Sequence, residues 1–425
     1  MNPTDLKSKL SRLWKDTFHD SDSYVSLVFN NCFDPDFVEY EEENGEIVAG
    51  LLGVPYEFGN SDRKLKGLYL CGLATKPQFR SRGIMTRLLS CINEKAREAG
   101  FAFTFLIPSD QGLRKYYRDR EYVNAFYRVV DNYTSLHDFD LEYQSILMEQ
   151  KEKVAVLKKR YFDSLKTGSI RKDSVIDSDL KEGLRSLIRQ VEDNQNDLQI
   201  IHSDKDIDLI IRENSISDGA IYYVKNSAGA VTAAAFATFE DNDLVVNIHK
   251  LFSTDIASKY KVLGAVKNSK PDYAICHYVS SIEMDRKALW SRTYGSFMSD
   301  ASQVPSISVA ERVYSLAAHA KVYGMVRVLD FPEILKFQAN IRHDLKYSIL
   351  AKSADSYTLD QIEVRNGNLK ITKLPIDTLS PSQTAHVMSR RDICEILFRR
   401  RDTDNIITEA FGIPSINASI SLMLD

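Results

Sequence analysis

The segment from residue 65 to residue 100 constrains the fold more than any other, because strand, loop and helix follow one another there without a spacer. Residues 65–74 have the composition of a strand and lead into the loop Lys76-Pro-Gln-Phe-Arg-Ser-Arg-Gly83. The apolar residues after this loop recur at helical spacing and are Met85, Leu88, Leu89, Ile92 and Ala96. Gly100 is a natural C-cap. This order predicts a sheet with helices packed on it.

The flanking residues predict further elements of the same mixed sheet. Residues 4–19 and 21–33 have the spacing of amphipathic helices. The dipeptide Asn44-Gly45 predicts a hairpin turn between strands at 37–40 and 47–54. A strand at 101–107, a helix at 111–119 and a strand at 121–130 follow. About 135 residues therefore predict the order ααβββαβαβ.

Residues 170–300 predict a second, looser copy of this fold. We expect a helix near 178–192, strands at 219–225, 230–239 and 243–252, a helix near 254–267 and a strand at 272–279. No Arg-x-x-Gly loop follows the third strand, because Tyr260 and Gly264 lie within a helical run. This copy is therefore predicted to bind no cofactor.

The pattern changes again after residue 322. We expect a strand at 325–329, a helix opening at Asp330, strands near 345–351, 359–365 and 368–373, and helices at 380–386 and 391–398. A Lys-rich stretch at 150–160 indicates the first boundary. The prediction is an α+β chain of three domains, at 1–148, 149–322 and 323–425.

Composition and charge exclude several classes of protein. The chain has 425 residues, 44% hydrophobic and 27% charged, with a net charge of −4, which excludes collagen-like and disordered chains and does not favour nucleic-acid binding. Five dispersed cysteines indicate reduced thiols, and the eight histidines show no metal-ligand spacing. The charged N-terminus and the lack of an 18-residue apolar stretch predict a cytoplasmic protein with no membrane partner.

The loop at 80–83 carries the clearest chemical signal. A helix start exposes unpaired N–H groups and about half a positive charge, so a tight loop there favours phosphate binding. Gly83 allows the backbone to approach a pyrophosphate closely. The spacing matches neither the P-loop nor the dinucleotide fingerprint, since both need more glycines.

The sequence Pro77-x-x-Arg80-x-x-Gly83-Ile84 after a strand resembles the acetyl-coenzyme A (acetyl-CoA) loop of GNAT N-acetyltransferases. Met85 departs from the small residue of the general pattern and is similar to the enhanced intracellular survival (Eis) branch, where large apolar residues follow the glycine. The resemblance implies that acetyl-CoA is a co-substrate and that no metal is needed. The cofactor contacts that it implies are Leu73, Ala74 and Thr75 for the pantetheine, Arg80, Ser81, Arg82, Gly83, Ile84, Met85 and Thr86 for the pyrophosphate, and Ser109 and Asp110 after the next strand.

A second match concerns proton transfer. The family pattern Tyr, three residues, Gly, aromatic is similar to Tyr117-Arg-Asp-Arg-Glu121-Tyr122, with Glu121 in place of glycine. The resemblance implies that Tyr117 is the general acid that protonates the coenzyme A thiolate, whose conjugate acid has a pKa of about 8.5. The neighbouring Tyr116 is not assigned this role, and the other interpretation is that both tyrosines only pack in the sheet.

The three-part layout supplies the third match. Val326-Arg327-Val-Leu-Asp330 resembles the start of the sterol-carrier-like C-terminal domain of the Eis branch. The resemblance also implies that the carboxylate of the last residue, Asp425, is the base for the amine. Asp425 offers both a terminal and a side-chain carboxylate, and the choice between them stays open. A frayed tail without a catalytic role is the alternative.

Together these features predict a cytoplasmic N-acetyltransferase that moves acetyl from acetyl-CoA to a primary amine by direct attack in a ternary complex. Polyamines, aminoglycosides and protein lysines all remain open as acceptors. The resemblance implies a homo-oligomer, with a hexamer as the suggested form. The rival hypothesis is an acetyl-CoA sensor or interaction protein on the same scaffold, because Met85 and Glu121 depart from the family pattern.

Overall fold

The computed structural model describes residues 2–133, 160–171, 176–194, 197–280, 321–353, 357–376, 387–399, 413, 415–416 and 418–420. Contacts divide the chain into two compact units. The first contains Met1–Tyr127, Asn196–Ile200 and Val322–Ile420, and the second contains Arg128–Gln195, Ile201–Lys321 and Ser421–Asp425. These units do not follow chain order, and the three predicted domains stay a prediction.

The secondary structure of the described residues is mixed, as predicted. The helices are α1 (Pro3–Phe18), α2 (Asp22–Cys32), α3 (Ile84–Glu98), α4 (Gln111–Arg118), α5 (Ser178–Asp193), α6 (Asp204–Ile216), α7 (Ile256–Ser269), α8 (Phe331–Ile341) and α9 (Arg390–Leu397). The strands are β1 (Val38–Glu43), β2 (Glu46–Asn60), β3 (Arg63–Thr75), β4 (Phe103–Leu106), β5 (Val123–Tyr133), β6 (Lys166–Arg171), β7 (Leu198–Ile201), β8 (Ala220–Lys225), β9 (Val231–Glu240), β10 (Val245–Ser253), β11 (Ala274–Ser280), β12 (Lys321–Val328), β13 (Lys346–Lys352), β14 (Thr358–Arg365), β15 (Asn368–Pro375), β16 (Val387–Met388) and β17 (Ala418–Ser419).

The order ααβββαβαβ of the first 133 residues is confirmed. The β1–β2 hairpin turns at Asn44 and Gly45, whose φ angles of +53° and +80° are those that an Asn-Gly turn supplies. β2 and β3 pair antiparallel, α3 follows, and β4 returns parallel to β3. The helix that connects two parallel strands packs on one face of their sheet. This packing explains the apolar stripe of α3.

A strand from a distant part of the chain completes this sheet. The strand order of the first unit is β17-β7-β2-β3-β4-β12-β5, with β1 paired to β2. β12 pairs antiparallel with β4, with Met325 opposite Leu106. Met325 and Val326 are fully buried. The sequence predicts this strand as the start of a C-terminal domain, whereas the structure places it in the sheet of the first unit.

Aromatic rings fill the core around β12. The ring centroids of Phe58 and Phe103 lie 4.9 Å apart, and those of Phe105 and Phe126 lie 5.8 Å apart. An added Cβ at Gly324 of β12 would lie 2.9 Å from Phe126. Glycine at this position therefore lets β12 approach the aromatic layer closely.

The second unit repeats the predicted order of strands and helices. The strand order in its sheet is β5-β11-β10-β9-β8-β6, and β5 contributes residues 128–133. β10 and β11 are parallel and are connected through α7, as β3 and β4 are connected through α3. The predicted helix near 178–192 and the strands at 219–225, 230–239, 243–252 and 272–279 are confirmed within two residues at each end.

Among the described residues, the sequence analysis missed five elements, which are β6, β7, α6 and the two-residue strands β16 and β17. β6 has one large apolar residue, Ile170, and β7 has only four residues, so neither shows a clear alternation of apolar and polar residues. α6 did carry a readable signal, because Ser203 and Asp206 form a capping box at its start.

The described C-terminal residues form a separate four-stranded sheet in the order β15-β14-β13-β16. Asp330 caps α8, its carboxylate accepting from the backbone N–H of Glu333 at 3.1 Å, so the predicted helix start at Asp330 is confirmed. The predicted helix at 391–398 corresponds to α9. The predicted helix at 380–386 and most of the connection at 150–160 lie outside the described residues.

Candidate functional site

The start of α3 presents backbone donors without a side-chain cap. Gly83 is its N-cap, with φ at +72°, and no side chain accepts a hydrogen bond from the first turn. The preceding loop is held by its own arginines. Arg80 donates to the Thr75 carbonyl at 3.0 Å, and Arg82 donates to the Gln78 carbonyl at 3.1 Å. The free N–H groups of a helix start are suited to an anion.

β3 has an unpaired edge beside this helix start. The parallel pairing of β3 with β4 ends at Tyr69, which lies opposite Phe105, whereas β3 continues to Thr75. From residue 70 to residue 75 this edge of β3 has no paired strand among the described residues. Backbone N–H and C=O groups along such an edge can bind an extended ligand that carries amides.

A bulge reshapes β3 at the same place. Gly50 of β2 lies opposite Ala74, and Leu52 lies opposite Cys71, so two residues of β3 face a single residue of β2. One of the two is Gly72, with φ at +61°. The other, Leu73, is half-buried. The bulge turns the backbone of residues 73–75, which the sequence predicts as pantetheine contacts.

Tyr117 lies at the end of α4 and is buried, with 6% of its surface exposed. Its ring contacts those of Tyr122 and Tyr116 edge-on, with centroids 5.8 Å and 5.3 Å away. Burial raises the pKa of Tyr117 well above its ordinary value, so the phenol keeps its proton at neutral pH. Its hydroxyl has no hydrogen-bond partner among the described residues.

Tyr116 is held differently from Tyr117. Its hydroxyl lies 3.2 Å from the Thr86 hydroxyl, and the Arg120 guanidinium stacks on its ring at 3.4 Å. Arg120 also donates to the Thr86 hydroxyl, at 2.7 and 3.1 Å. Tyr116 thus belongs to a polar cluster on the first turn of α3, and Tyr117 has the available hydroxyl.

The turn after Tyr117 explains the spacing of the motif. Tyr122 donates its backbone N–H to the Tyr117 carbonyl, and Glu121 donates to the Arg118 carbonyl, both at 3.2 Å. These are the two bonds of a Schellman motif, in which the residue before the last is left-handed. Glu121 occupies that position with φ at +67°, where glycine would be unstrained.

A buried polar network fixes Tyr122 behind Tyr117. The Tyr122 hydroxyl lies 3.1 Å from the Thr104 hydroxyl, which donates to Asn93 at 2.5 Å. Tyr122 is fully buried, and burial raises the pKa of its phenol. The hydrogen bonds of Tyr122 with Thr104 and Asn93 act to lower this pKa but do not outweigh the burial. The sequence analysis missed this network, because Asn93 and Thr104 lie in apolar runs that do not reveal their proximity.

The acidic run at 39–46 pairs with basic residues around the helix start. Glu41 pairs with Arg87 at 3.3 Å, and Glu43 pairs with Arg82 at 3.9 Å. Lys95 binds Glu39 at 2.6 Å. Two carboxylates of this run therefore hold two arginines beside the candidate phosphate site.

The remaining predicted site residues are Ser109, Asp110 and Asp425. Asp110 is the N-cap of α4, its carboxylate accepting from the backbone N–H of Leu113 at 2.8 Å. That side chain is thus engaged in the helix start, and Ser109 directly precedes it. Asp425 lies outside the described residues. Among those described, Leu73–Thr75, Arg80–Thr86 and Tyr117 lie on elements that the sheet brings together.

The matching helix of the second unit begins differently. Asp255 caps α7, and its carboxylate accepts from the Ser258 backbone N–H at 2.8 Å and the Tyr161 hydroxyl at 3.0 Å. A carboxylate at the helix start occupies the donors that a phosphate would need and repels its charge. The contrast between α3 and α7 supports the prediction that the second copy of the fold binds no cofactor at this helix start. The lack of a cofactor there stays a prediction.

No cluster of potential metal ligands occurs in the parts of the chain that the structure describes. Within the same ranges, none of the helices combines the length and the apolar character needed to span a bilayer.

Comparisons with known proteins agree with this geometry. Residues 4–124 match the family model of the acetyltransferase (GNAT) domain. No curated protein matches the sequence. A solved structure from Enterococcus faecalis, described as a probable N-acyltransferase of unknown function, is 11% identical with a TM-score of 0.63 and covers 95% of this chain and 90% of its own.

Two further solved structures resemble the chain along most of its length. A GCN5-related N-acetyltransferase from Kribbella flavida is 13% identical, with a TM-score of 0.61 and coverage of 99% of this chain and 97% of its own. Eis1 from Mycobacterium abscessus is 8% identical, with a TM-score of 0.56 and coverage of 92% and 87%. The chain shares the fold of these proteins, and its residues 4–124 match the model of the GNAT acetyltransferase domain.

Proposed function

We propose that the protein transfers an acetyl group from acetyl-CoA to a primary amine by direct attack in a ternary complex. One observation carries the proposal: the uncapped start of α3 lies beside the unpaired edge of β3. The helix start suits the pyrophosphate, and the strand edge suits the two amides of the pantetheine arm. Few other cofactors combine these two chemical features.

In this proposal the backbone holds the cofactor. Residues 73–75 bind the pantetheine amides, and residues 80–86 surround the pyrophosphate. Backbone N–H groups at the bulge of β3 would polarise the thioester carbonyl, whose oxygen gains charge as the amine attacks. The guanidinium of Arg82 stacks on the Phe79 ring at 4.8 Å and pairs with Glu43. In this proposal it exchanges Glu43 for a phosphate of the cofactor.

Tyr117 is proposed as the general acid. The amine nitrogen attacks the thioester carbon, the C–S bond breaks, and the sulfur takes the phenolic proton. The proton that the nitrogen loses as the amide forms returns the phenolate to the phenol through water. Burial raises the pKa of Tyr117, so the phenol is protonated at neutral pH but is a weaker acid than an exposed tyrosine. The transfer runs from a weak acid to a thiolate of pKa about 8.5, so it needs a phenol held close to the sulfur.

Asp425 is proposed as the base. A primary amine of pKa about 10.4 must lose a proton before it attacks, and a fixed carboxylate can accept this proton directly or through water. Either the terminal or the side-chain carboxylate would serve. Ile420, five positions before Asp425, is buried and belongs to the first unit.

The departures that favour the sensor hypothesis are accommodated in the structure. Met85 packs against the apolar cluster beneath α3. Glu121 adopts the left-handed conformation that the turn after Tyr117 requires. Neither substitution removes an element that catalysis would use, so we favour the enzyme over the sensor.

Three features of the proposal rest on the resemblance alone. We propose a sterol-carrier-like fold for the C-terminal sheet, a homo-oligomer with a hexamer as the suggested form, and a small-molecule or peptide amine as acceptor. We also propose a cytoplasmic location, which rests on the sequence and not on the resemblance.

The test is thiol release from acetyl-CoA with a panel of polyamines, aminoglycosides and lysine peptides. We expect turnover with at least one amine by the intact chain and a loss on the order of 100-fold for Tyr117→Phe, with acetyl-CoA affinity retained. Tyr116→Phe is the matched control and should keep most of the turnover.

A chain that lacks residues 422–425 tests the base. Turnover that survives this truncation would remove Asp425 from the mechanism and leave the enzyme in place. Tight acetyl-CoA binding without turnover for any amine would instead favour the sensor.

A further inference from the structure

We propose that Arg327 of β12 is a positioning residue for the acid Tyr117, acting through the carboxylate of Glu121. The inference rests on the proposed function, because it concerns the acid of that reaction. Arg327 donates to Glu121 at 2.7 Å across 206 positions of sequence. Among the described residues, Arg327 makes no hydrogen bond, ion pair or ring contact with the phenol of Tyr117 or with the candidate cofactor loop.

The conformation of Glu121 creates the need for such a contact. The Schellman turn places Glu121 at φ +67°, a region that residues with a Cβ avoid. If Glu121 relaxed to a negative φ, the two bonds that close the turn onto Tyr117 and Arg118 would be lost. A side-chain partner that favours the strained conformer can offset this tendency.

Arg327 is well placed to be that partner because its backbone is fixed in the sheet. It lies opposite Thr104 in the β12–β4 pairing, and 22% of its side chain is exposed. Thr104 in turn lies 3.1 Å from the hydroxyl of Tyr122. Glu121 is therefore held to β12 through Arg327, and Tyr122 is held to β4 through Thr104.

Tyr117 depends on this turn for its place. It supplies the carbonyl that accepts from Tyr122, and its ring packs edge-on against that of Tyr122. A displacement of about 1 Å at an acid can cost up to about 100-fold in rate. Because the Glu121 carboxylate is largely exposed, the ion pair should matter little for global stability.

Two substitutions of Glu121 separate its charge from its conformation. Both Glu121→Ala and Glu121→Gly remove the ion pair, but only alanine keeps the penalty of a positive φ. We expect Glu121→Ala and Arg327→Met each to lower kcat by about tenfold, with the KM for acetyl-CoA within about twofold of its original value. Glu121→Gly should keep kcat.

The decisive variant combines Arg327→Met with Glu121→Gly. Glycine needs no anchor, so this double variant should recover the kcat that Arg327→Met loses. Arg342→Met breaks an ion pair with Asp344 elsewhere on the chain and is the control for general loss of charge. A normal kcat for Glu121→Ala, or a loss that persists in the double variant, would overturn the proposal.

A second measurement is independent of turnover and separates this proposal from the proposed function. Carbon-13 labelling of tyrosine rings allows the Tyr117 signal to be assigned by its absence in Tyr117→Phe. The signal should shift or broaden in Glu121→Ala and Arg327→Met and stay unchanged in Glu121→Gly. An unchanged signal in all of them overturns the positioning role, whereas lack of turnover by the intact chain with a shifted signal counts only against the acetyltransferase.

Discussion

Replacing Gly72 by alanine should disturb the bulge of β3 that shapes the proposed thioester site. An added Cβ would lie 2.3 and 2.4 Å from Cζ3 and Cε3 of Trp14. The indole is buried, and its Nε1 donates to Asp20 at 2.7 Å, so the ring cannot move away without losing that bond. Gly72 also has φ at +61°, which alanine adopts only with strain.

The two effects add. A positive φ costs a residue with a Cβ about 1 to 2 kcal/mol, and overpacking a buried site costs about 1 to 3 kcal/mol. We therefore expect Gly72→Ala to lower the free energy of unfolding by about 2 to 5 kcal/mol. The same change should weaken acetyl-CoA binding, because residues 73–75 follow the bulge directly.

Gly45→Ala is the matched control. Gly45 also has a positive φ, at +80°, but an added Cβ would have no heavy atom within 4 Å. It should therefore cost only the conformational part, about 1 to 2 kcal/mol. Urea unfolding of both variants measures the difference. Equal losses for the two glycines would refute the clash with Trp14.

Three further predictions follow from the site and the sheet. A fragment of residues 1–148 lacks β12 and should show no cooperative unfolding, since Met325 and Val326 fill its core; a cooperative thermal transition for the fragment would contradict this. Gly83→Asp should weaken acetyl-CoA binding by about tenfold more than Gly83→Asn, because only aspartate places a charge at the helix start; equal dissociation constants in calorimetry would argue against a phosphate there. Burial raises the pKa of Tyr117, Tyr122 and Tyr347, so the unfolded chain ionises first and stability present below about pH 10 is lost as the pH rises further, by up to about 1.4 kcal/mol per unit for each phenol. A urea midpoint that stays constant from about pH 9 to 11 would contradict this last expectation.

Local sequence patterns predicted most of the secondary structure because each was a short-range signal. Asn44-Gly45 specified a turn through its positive φ angles, and the stripe from Met85 to Ala96 specified the buried face of α3. The candidate loop at 80–83 was readable for the same reason, since one glycine between strand and helix has a direct backbone consequence.

The residues that the sequence analysis missed act across long distances. Arg327 was interpreted as part of a motif that opens a C-terminal domain, and its contact with Glu121 could not be read from either segment. Asn93 of α3, Thr104 of β4 and Tyr122 of the turn before β5 form one hydrogen-bonded group. Their polar atoms meet only because the sheet packs against α3.

The sequence alone determined the elements of this protein, the glycine at the start of α3 and the spacing of Tyr117 and Tyr122, because turns, caps and apolar periods depend on neighbours within a few residues. Only the tertiary structure decided that β12 completes the first sheet and that Glu121 has an arginine partner. Strand pairing depends on which edges remain open after collapse, and backbone hydrogen bonds look alike in every strand. For that reason the location of a distant strand, and the contacts that it brings to Tyr117, had to be found in three dimensions.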